Sequence, residues 1–189
     1  MEQNKQVLEF WFGKVGRELK PRKEWFVKDE AFDKKVRLLF LKDYEEAAQG
    51  KLEHWRNAPE SCLALIILLD QFPRNMFRNS PQAFATDNYA LAIAKGAVNK
   101  GFDQELLPVE RWFIYLPFEH SESLEMQQEA VRLFASLKDD PASAGTREYA
   151  EKHLKIIERF GRFPHRNEIL GRESTPAEIE FLQEPGSGF

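Results

Sequence analysis

One cysteine stands among the 189 residues, Cys62, so no disulfide can form within the chain. Its setting in Cys62-Leu63-Ala64-Leu65-Ile66-Ile67-Leu68-Leu69 predicts a buried, inert thiol, and such sparing use suits a reducing compartment. That stretch is also the longest apolar run, far short of the roughly 18 to 20 residues that span a bilayer. Met1 to Gln6 carry an early acid instead of a basic cap before an apolar stretch, which is not the pattern of a secretion signal. The expectation is a soluble cytoplasmic protein without membrane association. Threonine occurs three times and valine seven, so the side chains that favour pleated sheet are scarce. Neither Asn-Gly nor Asp-Gly is present to turn a hairpin. Nor is positive charge concentrated anywhere: 27 Lys and Arg are interleaved with 31 Asp and Glu for a net charge of -4, which argues against nucleic acid as a partner, since its backbone requires a basic face. Gly-rich phosphate loops, dinucleotide fingerprints and Gly-x-Ser-x-Gly elbows are missing, as is any repeat with a period near 34 residues.

What is plentiful is Leu, Ala, Glu and Lys, the composition of helix. The length suits one domain spanning residues 1–189, able to bury roughly 70% of its unfolded surface. A first helix is predicted over about Lys5 to Trp11, ended by Gly13. A second, Glu30 to Gln49, sets Phe32, Val36, Phe40, Tyr44 and Ala47 in one apolar stripe and stops at Gly50. Asn57, with Glu60 three residues on, reads as the cap of a very apolar third helix through Leu69. Thr86 or Asp87 opens a fourth that ends at Lys100-Gly101. Pro108 starts a fifth, Val109 to Leu116, which Pro117 closes. Ser121 or Ser123 caps a sixth reaching Leu137, and a seventh covers Thr146 to Phe160. Thr175-Pro176-Ala177-Glu178 combines capping-box spacing with proline at the first helical position, opening a short eighth helix to Leu182. Seven or eight helices with brief connections imply an all-α fold of antiparallel neighbours packed as helical hairpins. Sixteen Phe and four Trp fall mostly at helical spacing and are read as core.

Twice an apolar helical run is expected to stop at a Phe-Pro step that leads into arginine and asparagine. The first copy is Phe72-Pro73-Arg74-Asn75 and the second Phe163-Pro164-His165-Arg166-Asn167. Unusual polar residues gather in three clusters at predicted helix ends: Asp70, Arg74, Asn75 and Arg78; Glu119, His120, Ser121 and Glu122; Arg159, Arg162, His165, Arg166, Asn167 and Arg172. In an antiparallel stack the ends of alternate helices share an edge, so a common rim is expected. Arginine's planar fork of donors suits paired oxygens, with Asn75 and Asn167 to orient a ligand. His120 or His165 is a candidate proton carrier near neutral pH, tuned by Glu119 or Glu122. A metal is not expected, because Glu119-His120-Ser121-Glu122 lacks a paired histidine at ligand spacing, and no cofactor is expected either.

The segments Phe10-Trp11-Phe12-Gly13, Leu69 to Asn75, Phe84-Ala85-Thr86-Asp87, Glu110 to Glu122 and Phe160 to Asn167 resemble a largely bacterial family known as domain of unknown function family 924. The resemblance spans almost the whole chain and implies a fold similar to tetratricopeptide-like arrays, in which helical hairpins stack. It carries over no activity, cofactor or catalytic residue.

Two functional readings therefore stand side by side. In one, the arginine, histidine and asparagine side chains line a pocket for a small polar or anionic ligand such as a carboxylate or phosphate ester. In the other, the helices are a scaffold that holds a protein or peptide partner, and the arginines are structural, pairing with acids such as Asp70, Glu119 and Glu122 or with unpaired helix carbonyls. The Gly186-Ser187-Gly188-Phe189 tail adds a terminal carboxylate as a candidate partner for an arginine.

Overall fold

The computed structural model describes residues 2–13 and 19–188; Phe189, whose carboxylate the tail reading invokes, lies outside them. Among the described residues the regular elements are all helical: α1 (Gln3–Phe12), α2 (Glu30–Ala48), α3 (Pro59–Ile66), α4 (Phe72–Met76), α5 (Asp87–Asn99), α6 (Pro108–Glu119), α7 (Leu124–Ala135), α8 (Thr146–Phe160) and α9 (Pro176–Phe181). Short 3-10 turns link several of them. None of the described helices is long and apolar enough to cross a membrane.

The boundaries follow local chemistry where local chemistry is strong. Asp29 caps α2 by accepting from the Ala31 and Phe32 amides, satisfying donors that a helix start leaves orphaned. The α9 capping box is complete, Thr175 Oγ1 accepting from the Glu178 amide at 3.3 Å and Glu178 Oε2 from the Thr175 amide at 2.7 Å. Helix α3 differs from expectation in that Asn57 does not cap it; Ala58 holds that position and Pro59 sets the first turn, because its fixed φ is already helical and it has no amide to satisfy.

Two prolines expected to stop helices do not. The run that begins in α3 passes through a single π turn, Ile67–Gln71, in which the Phe72 amide donates to the Ile67 carbonyl, and goes straight into α4. Pro73 has no amide for the Leu69 carbonyl four residues back. The Thr86 hydroxyl supplies the missing donor, at 2.5 Å from the Leu69 oxygen, so the break costs no buried hydrogen bond. Likewise Pro117 lies inside α6. It forfeits only the rung to Phe113, and the ladder resumes with the His120 amide on the Leu116 carbonyl at 2.8 Å.

Leu63 to Leu69 are essentially inaccessible, making α3 and its π turn the centre of the molecule. Helices α1, α2, α5 and α6 pack around it, and α6, α7 and α8 pack consecutively. All four tryptophans are buried. Cys62 is buried too, and burial pushes its thiol up to about 11, the inert state the sequence implies. A small satellite cluster of Ile156, Ile157, Phe163 and Phe181 joins the end of α8 to α9.

Candidate functional site

The turn of α6 around Pro117 presents two faces. Trp112, Leu116 and Glu119 share one by helical spacing, and Pro117 and His120 share the other; each face lines a different cavity. The cavity on the His120 side has a volume of about 290 Å³, near the small end of the range that holds small molecules. Its walls bring together Phe84, Asp87 at the start of α5, His120, Glu122 and Arg166.

Asp87 is where the two Phe-Pro segments meet. Arg74 clasps it with both terminal nitrogens, at 2.9 and 3.0 Å, and Arg166 Nη1 approaches the same carboxylate at 3.5 Å. Arg74 also donates to the Asp70 carbonyl at 2.5 Å. Asp70, fully buried, accepts from Gln71 and lies 2.8 Å from His120 Nδ1. Burial alone would raise its pKa, but Arg74 and His120 outweigh burial and hold it well below the usual carboxylate range. The His120 pKa is lowered by burial and by Arg74, against the pull of Asp70. A carboxylate acceptor and a neutral imidazole together fix the tautomer: Nδ1 carries the hydrogen toward Asp70, and Nε2 is the basic nitrogen.

Arg166 is held differently from its neighbours. Its guanidinium carbon sits 4.7 Å from the Phe84 ring centre and 4.6 Å from that of Phe163, a cation between two aromatic faces. The side chain is only 9% exposed. Among the described residues its one hydrogen bond is the long one to Asp87, and its buried Nε has no acceptor. Burial, then Arg74, lower its pKa to about 10, so it remains a cation at neutral pH. Five donors with one weak partner is an arrangement that elsewhere in a protein interior costs several kcal/mol.

The remaining sequence candidates fall elsewhere. Asn75 and Arg78 both bind Asp33 of α2, at 2.8 Å and at 2.5 and 3.0 Å respectively, and so tie α2 to α4. Arg159 is exposed and stacks on Phe160 and Phe181. Arg162 grips Glu178 of α9 at 2.6 and 2.8 Å. Asn167 is buried between Ser174 and Arg172. Arg172 in turn pairs with Glu122 at 2.7 and 2.9 Å. Burial pushes the Glu122 carboxyl up, but Arg172 and the Phe163 amide override it and its pKa ends lowered. His165 is half-buried, its ring 5.5 Å from that of Phe163, and burial followed by Arg166 lowers its pKa to about 4. Glu119 and His153 meet on the far face of α6, 3.3 Å apart. Asp87 and Phe84 were not among the sequence candidates, although both lie in Phe84-Ala85-Thr86-Asp87, a motif that sits where α5 begins.

Fold and cavity together define an all-helical protein with a mixed-charge chamber built at helix ends. The chain belongs to a bacterial family of unknown function, DUF924, whose model matches residues 7–186. A solved structure of a protein of unknown function, ATU0120 from Agrobacterium tumefaciens, is similar to it at 42% identity, covering 95% of this chain and 96% of that one, with a TM-score of 0.85. No curated protein matches.

Proposed function

We propose that the cavity on the His120 side binds a small carboxylate, with Arg166 as its anchor. The observation that carries the reading is the state of Arg166: a buried cation between Phe84 and Phe163 whose donors, among the described residues, make only the long contact to Asp87. A carboxylate satisfies two of those donors at once. Arg74 and Arg172 are already spoken for by Asp87 and Glu122. The charged groups on the wall are Arg166, Asp87 and Glu122, and the last two already pair with Arg74 and Arg172 behind it, so the chamber is close to balanced before any ligand enters. A monoanion matches the single weakly paired guanidinium, whereas a dianionic phosphate ester brings repulsion from Asp87 and Glu122.

The test is a thermal-shift series with acetate, lactate and pyruvate beside inorganic phosphate, on the parent and on Arg166→Met. A carboxylate at 100 times its dissociation constant adds about 2.7 kcal/mol, or roughly 5 to 10 °C for a chain of this length. The expected result is such a shift in the parent, a smaller one with phosphate, and none in Arg166→Met, whose own melting temperature holds or rises because an unsatisfied buried cation has gone. A parent indifferent to every carboxylate, or a shift that survives in Arg166→Met, refutes the reading.

A further inference from the structure

The cavity on the opposite face of α6 is larger, about 410 Å³, and almost wholly apolar. Phe26, Trp112, Leu116, Phe134 and Tyr149 supply much of its wall. The Trp112 indole N–H is already spent on Ser143 Oγ at 2.7 Å, so what that residue offers a ligand is ring surface. Phe26 is 61% exposed and marks where the chamber opens. Among the described lining residues there is one carboxyl, Glu119, and no Lys, Arg or His.

Glu119 is an odd residue to find there. It is 2% exposed, and among the described residues its side chain has no Lys or Arg partner. Its carboxyl lies 3.3 Å from His153 Nδ1, a nitrogen that also lies 3.0 Å from the Tyr149 carbonyl. His153 offers no charge to balance it, since burial holds that imidazole down to about 3. Burial first, and then the nearby Asp70 carboxylate, push Glu119 up to about 8. A buried carboxyl without a counter-charge is costly. Among the described residues no Lys or Arg supplies the compensating charge, while the negative field of Asp70 and the aromatic walls favour a positive group.

We propose that this second cavity is a binding site for a small hydrophobic amine, its ammonium paired with the Glu119 carboxylate and its hydrocarbon lying against Trp112, Leu116 and Phe134. The proton balance is explicit. Near neutral pH the free amine is an ammonium ion and free Glu119 is a neutral acid, so forming the ion pair expels the carboxyl proton to solvent, and close to one proton leaves per amine bound. The groups around Glu119 do not supply or absorb that proton: His153 on α8 is neutral, Asp70 in the π turn stays ionised, and the Tyr149 phenol is held above its ordinary value by burial. Affinity consequently rises with pH until Glu119 is itself ionised.

Benzylamine and its uncharged analogue benzyl alcohol are the probes, measured by calorimetry at about pH 6.5 in two buffers of different ionisation enthalpy. The expected result is benzylamine binding with release of nearly one proton, at least tenfold weaker binding of benzyl alcohol, and loss of most benzylamine affinity in Glu119→Gln. That variant keeps the shape and hydrogen-bonding capacity of the neutral acid, so its fold is preserved; an unchanged circular-dichroism spectrum checks this. Equal binding of the alcohol, retention of benzylamine by Glu119→Gln, binding without proton release, or no binding of the amine each overturns the proposal. The outcome is independent of the carboxylate reading, which rests on Arg166 in the other chamber.

Discussion

Glu119→Gln also makes a prediction about stability that needs no ligand. In the folded protein burial pushes this carboxyl up to about 8, whereas an unfolded chain releases the same proton near 4.3. The folded state therefore binds more protons than the unfolded state throughout that window, and stability falls as pH rises through it. Below about pH 6.5 the effect is masked. His153 and His165 sit near 3 and 4 in the fold but near 6.5 when unfolded, so they bind fewer protons folded and contribute stability that grows with pH. The open window is about pH 6.5 to 8. Over it, integrating one proton that titrates around pH 8 removes about 1.5 kcal/mol. Glutamine has nothing to titrate. Its stability should exceed the parent's at both pH values, because the unfolded parent gains from ionising near 4.3, and the margin should be about 1.5 kcal/mol wider at pH 8 than at pH 6.5, roughly 3 to 6 °C more in melting temperature for this chain length. The histidine contributions are common to both proteins and cancel in the difference. Paired urea melts of parent and variant at the two pH values measure it. An offset that is the same at both pH values refutes the claim that Glu119 is protonated in the fold.

Two further substitutions separate architecture from site. Thr86→Val removes the hydroxyl that serves the Leu69 carbonyl and should cost about 1 to 3 kcal/mol, the penalty for a buried acceptor left unpaired, while Thr86→Ser recovers most of it; denaturant melts of the three proteins decide. Asp33→Ala frees Asn75 and Arg78 from α2 and should cost about 1 to 2 kcal/mol without altering the carboxylate shift, since neither residue lines the chamber that Arg166 serves. If Asp33→Ala abolished the shift, Asn75 or Arg78 would belong to the site after all.

How far the fold could be read beforehand depended on how local its causes are. The α9 capping box, the α8 span from Thr146 to Phe160 and the glycine stops at Gly13 and Gly101 were legible, because each is decided within four or five residues. Pro73 and Pro117 misled for the opposite reason. Whether a proline ends a helix depends on who serves the carbonyl it abandons, and for Leu69 the donor arrives from Thr86, after an intervening turn and loop. The candidate site was legible in part for a similar reason. Arg74, Arg166 and His120 do converge, as helix ends on one edge should. Asn75, Arg78, Arg159 and Arg162 look no different in sequence, yet Asp33, Glu178 and the rings of Phe160 and Phe181 claim them. Asp87, the carboxylate that joins the two Phe-Pro segments, was overlooked because an acid in the first turn of a helix already has an ordinary explanation in the helix dipole.

The single helical turn that follows Pro117 serves as a partition with a chamber on either side, Glu119 turned to one and His120 to the other. Because one turn of backbone carries both, assaying each variant in both chambers shows whether the partition passes a change across.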